Sequence, residues 1–134
     1  MTTEQNIVAA TRLIELYNQG TADWVKATHH LDSQWREMPT SSYPNGRGGN
    51  RTVLQQAAEE AVQVFPDRQI EILNSVPQDD QVTMQALWTG TVAAEIPGWP
   101  KGTRVTINIA FFFRFQDGLV ISQTDYACLE PIDP

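Results

Sequence analysis

Only one cysteine, Cys128, occurs in the 134 residues, so no intramolecular disulfide can form and the chain needs no oxidising compartment. Positive charge is scarce as well: 9 Lys and Arg stand against 16 Asp and Glu, a net charge of −7, with no basic cluster to neutralise phosphates. Nucleic acid is therefore not expected as a partner. Apolar runs are short, none approaching the roughly 18 residues of a membrane-spanning helix, and the opening Met1-Thr2-Thr3-Glu4-Gln5 lacks the charged-then-apolar pattern of a secretory signal. No membrane partner and a cytoplasmic location are the resulting expectations. His29 and His30 are the only histidines, with no cysteine or further histidine at ligand spacing, so neither a metal nor another cofactor is expected. The pair reads instead as a helix end, where its charge suits the dipole and at most one ring faces inward.

Low-complexity tracts are missing too, while 41% of the residues are hydrophobic and 19% charged, a balance that fits a folded globular chain. The length suits one domain over residues 1–134. Residues 4–19 place Ile7, Ala10, Leu13, Ile14 and Tyr17 at helical spacing, capped by Thr2 or Thr3 and ended by Gly20. A shorter helix is expected over 23–30, capped by Thr21, with Trp24, Ala27 and Leu31 on one face. Residues 34–38 read as a short strand stopped by Pro39, and 40–50 as loop. A third helix, starting near Asn50 or Thr52, carries Val53, Leu54, Ala57, Ala58, Ala61 and Val64 and stops at Phe65-Pro66.

Beyond Pro66, Val, Ile, Thr, Phe and Trp dominate and turn residues recur, which predicts four strands near 68–76, 82–96, 104–115 and 119–129. Short links make them an antiparallel meander. Within the second, Val82, Met84, Ala86 and Trp88 alternate with polar residues, so one face is buried, and Gly90 suggests a bulge or bend. The fold class is α+β, with three N-terminal helices packed in a curved antiparallel sheet that encloses an apolar pocket.

Several phrases in this order, Phe65-Pro66-Asp67, Trp88-Thr89-Gly90-Thr91, Pro97-Gly98-Trp99-Pro100-Lys101-Gly102-Thr103-Arg104 and Phe113-Arg114-Phe115-Gln116-Asp117-Gly118, resemble the SnoaL-like polyketide cyclases. These are a branch of the nuclear transport factor 2-like superfamily of cone-shaped α+β folds. The resemblance implies the cone and its pocket more than it implies a reaction, because one fold hosts many chemistries. Cyclases of this kind look as though they use a histidine after the Gly-Thr and an acid about ten residues beyond the Asp-Gly turn. Val92 and Cys128 stand there in this chain. Valine moves no proton, and a thiol without a basic neighbour is a poor acid or base, so Cys128 reads as a small buried hydrophobe beside the ligand.

Glu37 is then the first catalytic candidate. Period-two geometry puts it on the face of Trp35, and the resemblance points that position into the cavity, as a base or orienting carboxylate; the competing reading pairs it with Arg36 or Arg47. Asp125 is the second, an acid beside the phenol of Tyr126 that could orient or protonate a carbonyl. Alternation sends these two to opposite faces unless a bulge intervenes, and Tyr126 is the one expected inside, with Asp125 toward solvent or a partner. Tyr17, Trp35, Trp88 and Phe111 complete the expected ligand wall, each equally explained as packing. Asn45-Gly46-Arg47-Gly48-Gly49 lacks the Lys-Ser/Thr of a phosphate loop and reads as a lid or plain loop.

Two functions fit. One is a cofactor-independent enzyme of cyclase or isomerase type acting on a hydrophobic carbonyl compound. The other is a non-catalytic module that binds an apolar small molecule or serves oligomerisation. A homodimer is expected through the outer sheet face, where Ala110 and Phe112 sit among Thr106, Asn108 and Arg114.

Overall fold

The computed structural model describes residues 2–132. Helix α1 (Thr3–Tyr17) opens with a capping box: the Thr2 hydroxyl accepts from the Gln5 amide, and the Gln5 side chain accepts from the Thr2 amide in return. Its Ala10, Leu13 and Ile14 are buried. Helix α2 (Trp24–Thr28) is shorter than expected and lacks a side-chain cap bond from Asp23. The two histidines are not a helix end: both begin strand β1 (His29–Glu37), which is longer than the segment read from sequence. The expected loop at 40–50 also closes in a strand, β2 (Arg47–Asn50), which pairs with β1 from Gln34↔Asn50 to Glu37↔Arg47. Glycine makes this approach possible, since a Cβ on Gly48 would collide with the Trp35 carbonyl oxygen.

Asn50 then caps α3 (Arg51–Val64), its side chain accepting from the Val53 amide at 3.1 Å. Leu54 and Ala58 are its buried residues, whereas Val53 is exposed. The meander follows as β3 (Gln69–Gln78), β4 (Gln81–Thr91), β5 (Arg104–Gln116) and β6 (Leu119–Leu129). Strand β4 ends five residues earlier than its composition suggests, and residues 92–103 form a loop pinned by the bond from the Val92 amide to the Thr103 carbonyl. Gly90 makes no bulge. It pairs regularly with Val105, and its missing side chain leaves room for Trp88 and Phe65, whose rings meet edge to face at 4.9 Å.

The six strands form one sheet in the order β2-β1-β6-β5-β4-β3. Every neighbouring pair is antiparallel except β1 and β6, which run parallel. The helices cover one face, and the core between them joins Leu13, Ile14, Trp24 and Leu54 to Met84, Trp88, Phe111, Phe113 and Val120. Val92, at the place of the cyclase histidine, is buried in it.

A register shift in β6 decides what enters this core. Arg114 pairs with Ser122 but Phe115 pairs with Val120, leaving Ile121 as an extra residue. Val120 points inward and is fully buried. Without the extra residue, alternation from Val120 would bring Tyr126 and Cys128 inside; with it, Gln123 and Asp125 turn inside.

Candidate functional site

Asp125 is thus the acid of the interior, 8% exposed, and the expectation that it faces solvent is overturned. Tyr126 is overturned in the opposite sense. It lies on the outer face, 44% exposed and edge to face with Phe112, and cannot line the interior. Cys128 shares that parity and is an exposed free thiol, neither a buried hydrophobe nor a ligand contact. The extra residue at Ile121 is the physical cause of all three corrections.

Both carboxyl oxygens of Asp125 are held. Trp35 Nε1–H donates to Oδ2 at 2.9 Å and the Gln123 side-chain amide meets Oδ1 at 2.9 Å. Burial pushes the Asp125 pKa up to about 7, against the smaller lowering effects of Trp35 and Gln123. Behind Gln123 stands His29 Nε2 at 2.6 Å, and His29 Nδ1 meets Thr28 Oγ1 at 3.0 Å. Desolvation lowers the His29 pKa to about 4, leaving a neutral imidazole at neutral pH.

Glu37 lies on the same face as Trp35 but at the edge of the interior, in an ion pair with Arg47: Nε donates to Oε1 at 3.0 Å and Nη2 reaches Oε2 at 3.5 Å. Arg47 also lies over the Tyr43 ring at 4.1 Å and the Trp35 ring at 5.2 Å. Glu37 is therefore engaged on both oxygens, the ion-paired alternative of its two sequence readings. Its charge still reaches the site, raising the Asp125 pKa while Arg47 lowers it.

Also in the interior, Trp88 Nε1–H donates to the Tyr17 hydroxyl oxygen at 2.7 Å, which leaves the phenolic proton free to point elsewhere. Burial raises the Tyr17 pKa, and the Asp125 charge adds to the rise, so the phenol is protonated. Phe111 is buried, is paired across the sheet with Asp125 and stacks on Phe113 at 5.5 Å. The side chains foreseen as the wall of an apolar pocket are packed in the interior: Trp35, Trp88, Phe111 and Asp125 are each less than a tenth exposed, and the three aromatic rings are part of the core.

His29 was expected at a helix end and stands in a strand instead, and two further residues, Gln123 and Arg68, have no place in the sequence reading. Gln123 carried no local signal, because its inward parity appears only once the extra residue in β6 is known. Arg68 did carry one, since it alternates with Ile70 and Ile72. It is fully buried, with Nη2 donating to the Thr21 carbonyl at 2.8 Å, its guanidinium over the Tyr17 ring at 4.5 Å, and Nε and Nη1 without a partner. Among the described residues no group of acidic, His or Cys side chains is arranged to hold a metal ion.

No curated protein sequence matches the chain significantly. Solved structures share its fold at low identity. AclR, a proposed hydroxylase from Streptomyces galilaeus, superposes with a TM-score of 0.79 at 18% identity, over 96% of this chain and 77% of that one. IdmH, a proposed polyketide cyclase from Streptomyces antibioticus, gives 0.72 at 20% identity over 92% and 91%. The phenazine biosynthesis-related protein PhzB2 from Pseudomonas aeruginosa gives 0.76 at 14% identity over 94% and 80%. The sequence itself matches the SnoaL-like domain over residues 10–123, a span that ends just before Asp125, and the chain belongs to that family.

Proposed function

We propose that this protein is a cofactor-independent proton-transfer catalyst of cyclase or isomerase type for a hydrophobic carbonyl compound. One observation carries the reading: a buried carboxyl group with both oxygens oriented and a pKa of about 7, the value at which a single group can both take and return a proton near neutrality. As carboxylate, Asp125 removes a proton from the carbon next to the carbonyl; the C–H pair moves into an enolate, and the oxygen takes the developing charge. Tyr17, its own oxygen already accepting from Trp88, supplies its phenolic proton as a hydrogen bond to that oxygen. Asp125 then returns the proton to carbon.

Deuterium exchange into a panel of hydrophobic ketones and lactones, followed by NMR, tests this. Exchange in the wild type should fall by a factor of about 100 or more in Asp125→Asn and less in Tyr17→Phe. Retained exchange in Asp125→Asn overturns the reading.

Arg68 favours a second one, a binding module for an apolar molecule with an acidic group, because a buried guanidinium with no carboxylate paired to it among the described residues leaves two nitrogens, Nε and Nη1, to donate to an incoming anion. Tight binding of a hydrophobic carboxylate whose protons do not exchange would support it. The exposed thiol of Cys128 suits the reducing interior of a cell and supports a cytoplasmic setting under either reading.

A further inference from the structure

We infer that Asp125, Gln123, His29 and Thr28 form a one-way hydrogen-bond chain ending on the Trp24 carbonyl, so that His29 and Gln123 are positioning residues that hold Asp125 as a neutral acid and reverse together when it ionises. The direction follows from counting protons. Thr28 Oγ1 lies 2.6 Å from the Trp24 carbonyl oxygen. A carbonyl has no proton, so the threonine hydroxyl must donate there and has nothing left to give His29. At 3.0 Å the Thr28–His29 contact therefore takes its proton from Nδ1. A neutral His29 then has a bare Nε2, and the partner 2.6 Å away must be a donor. Gln123 meets this demand by turning its NH2 toward His29, since rotation of the terminal amide exchanges its oxygen and nitrogen at nearly the same two places. Its oxygen then faces Asp125 Oδ1 at 2.9 Å, and the proton between them belongs to the carboxylic acid.

One other arrangement satisfies every contact: an imidazolium on His29 and a carboxylate on Asp125, with the amide oxygen toward His29. It has the same number of protons but places two charges where His29 is 1% and Asp125 8% exposed. Burial opposes it most at both ends; at the histidine, hydrogen bonding to Gln123 and to the Val25 backbone favours the imidazolium less strongly and Arg51 of α3 adds a like charge against it, while at the acid the Glu37 charge of β1 outweighs that of Arg47 of β2. Tyr17 of α1 is a neutral phenol. The neutral chain is the favoured state.

When Asp125 gives its proton away, the remaining protons can satisfy the network only by reversing. The Gln123 NH2 turns to the carboxylate, His29 moves its proton from Nδ1 to Nε2 to meet the amide oxygen, and the Thr28 hydroxyl turns from the Trp24 carbonyl to Nδ1. One proton has left, and one negative charge rests on Asp125. The consequence for catalysis rests on the proton-transfer role proposed above; the switch itself does not.

Long-range proton–nitrogen NMR of the histidine rings in the full chain, recorded alongside the Asp125 carboxyl carbon, tests the chain. Between the His29 pKa of about 4 and the Asp125 pKa of about 7 the Nδ1–H tautomer is expected, with a change to Nε2–H at the midpoint of the carboxyl titration. An imidazolium in that window, or a tautomer that ignores the carboxyl midpoint, overturns the inference. In Gln123→Leu the carboxyl should still titrate, at a displaced midpoint, while the tautomer no longer follows it; a tautomer that still follows would also overturn it. Should Asp125→Asn retain deuterium exchange, the catalytic reading falls and the wild-type tautomer switch is judged on its own spectrum.

Discussion

Burial acts in opposite senses on Asp125 and His29, and stability should show it. Asp125 titrates at about 7 in the fold rather than at 3.8, so its contribution is complete below about pH 3.8 and is lost as pH rises through about 7. His29 titrates at about 4 rather than 6.5, so its contribution is present above about pH 6.5 and is lost as pH falls through about 4. At about 1.4 kcal/mol per unit, each amounts to roughly 3 to 5 kcal/mol at most, and between pH 4 and 6.5 the two slopes oppose one another. Asp125→Asn removes one of them. Relative to wild type, urea unfolding of this variant should show a stability gain that grows from pH 4 to pH 7; a difference independent of pH would contradict a raised Asp125 pKa. Arg68 gives a second prediction. Its buried guanidinium leaves two nitrogens unpaired, so Arg68→Met should leave stability within about 1 kcal/mol of wild type or raise it, while weakening any binding of acidic ligands. Thermal unfolding together with titration of a hydrophobic carboxylate checks both halves.

Among the elements, those set by local rules were legible in the residues. The capping box at Thr2 and Gln5, the helix stop at Phe65-Pro66 and the meander turns all follow from side chains acting on their own neighbours. Strand β2 was not legible, because Arg47-Gly48-Gly49-Asn50 has little strand propensity and becomes a strand only against β1. Gly90 was noticed for the wrong reason. A Cβ there would stand 2.7 Å from the Trp88 ring and 3.1 Å from Phe65, so Gly90→Ala should displace the Trp88–Tyr17 pair and cost about 1–3 kcal/mol. Denaturant unfolding measures the loss; an unchanged midpoint would mean that the rings can move aside.

For the whole molecule, the outer face of the sheet sets the expectation. Phe112 at 45% and Tyr126 at 44% exposure form an edge-to-face pair that the helices cannot reach. We propose that a second copy covers them. Sedimentation equilibrium should find a dimer at tens of micromolar, converted to monomer by Phe112→Arg with the Asp125 titration unchanged; a wild-type monomer at that concentration would remove the proposal. No helix among the described residues is long and apolar enough to cross a membrane. The sequence by itself determined the α+β class, the three helices, the run of four strands and the family, because hydrophobic period, caps and turns are local properties. It also put Trp35 and Glu37 on one face, since nothing interrupts alternation between them. Only the tertiary structure decided which of Asp125 and Tyr126 is inside. Alternation gives relative parity alone, and one unpaired residue, Ile121, inverts it for everything that follows, placing an acid where a phenol and a thiol were expected.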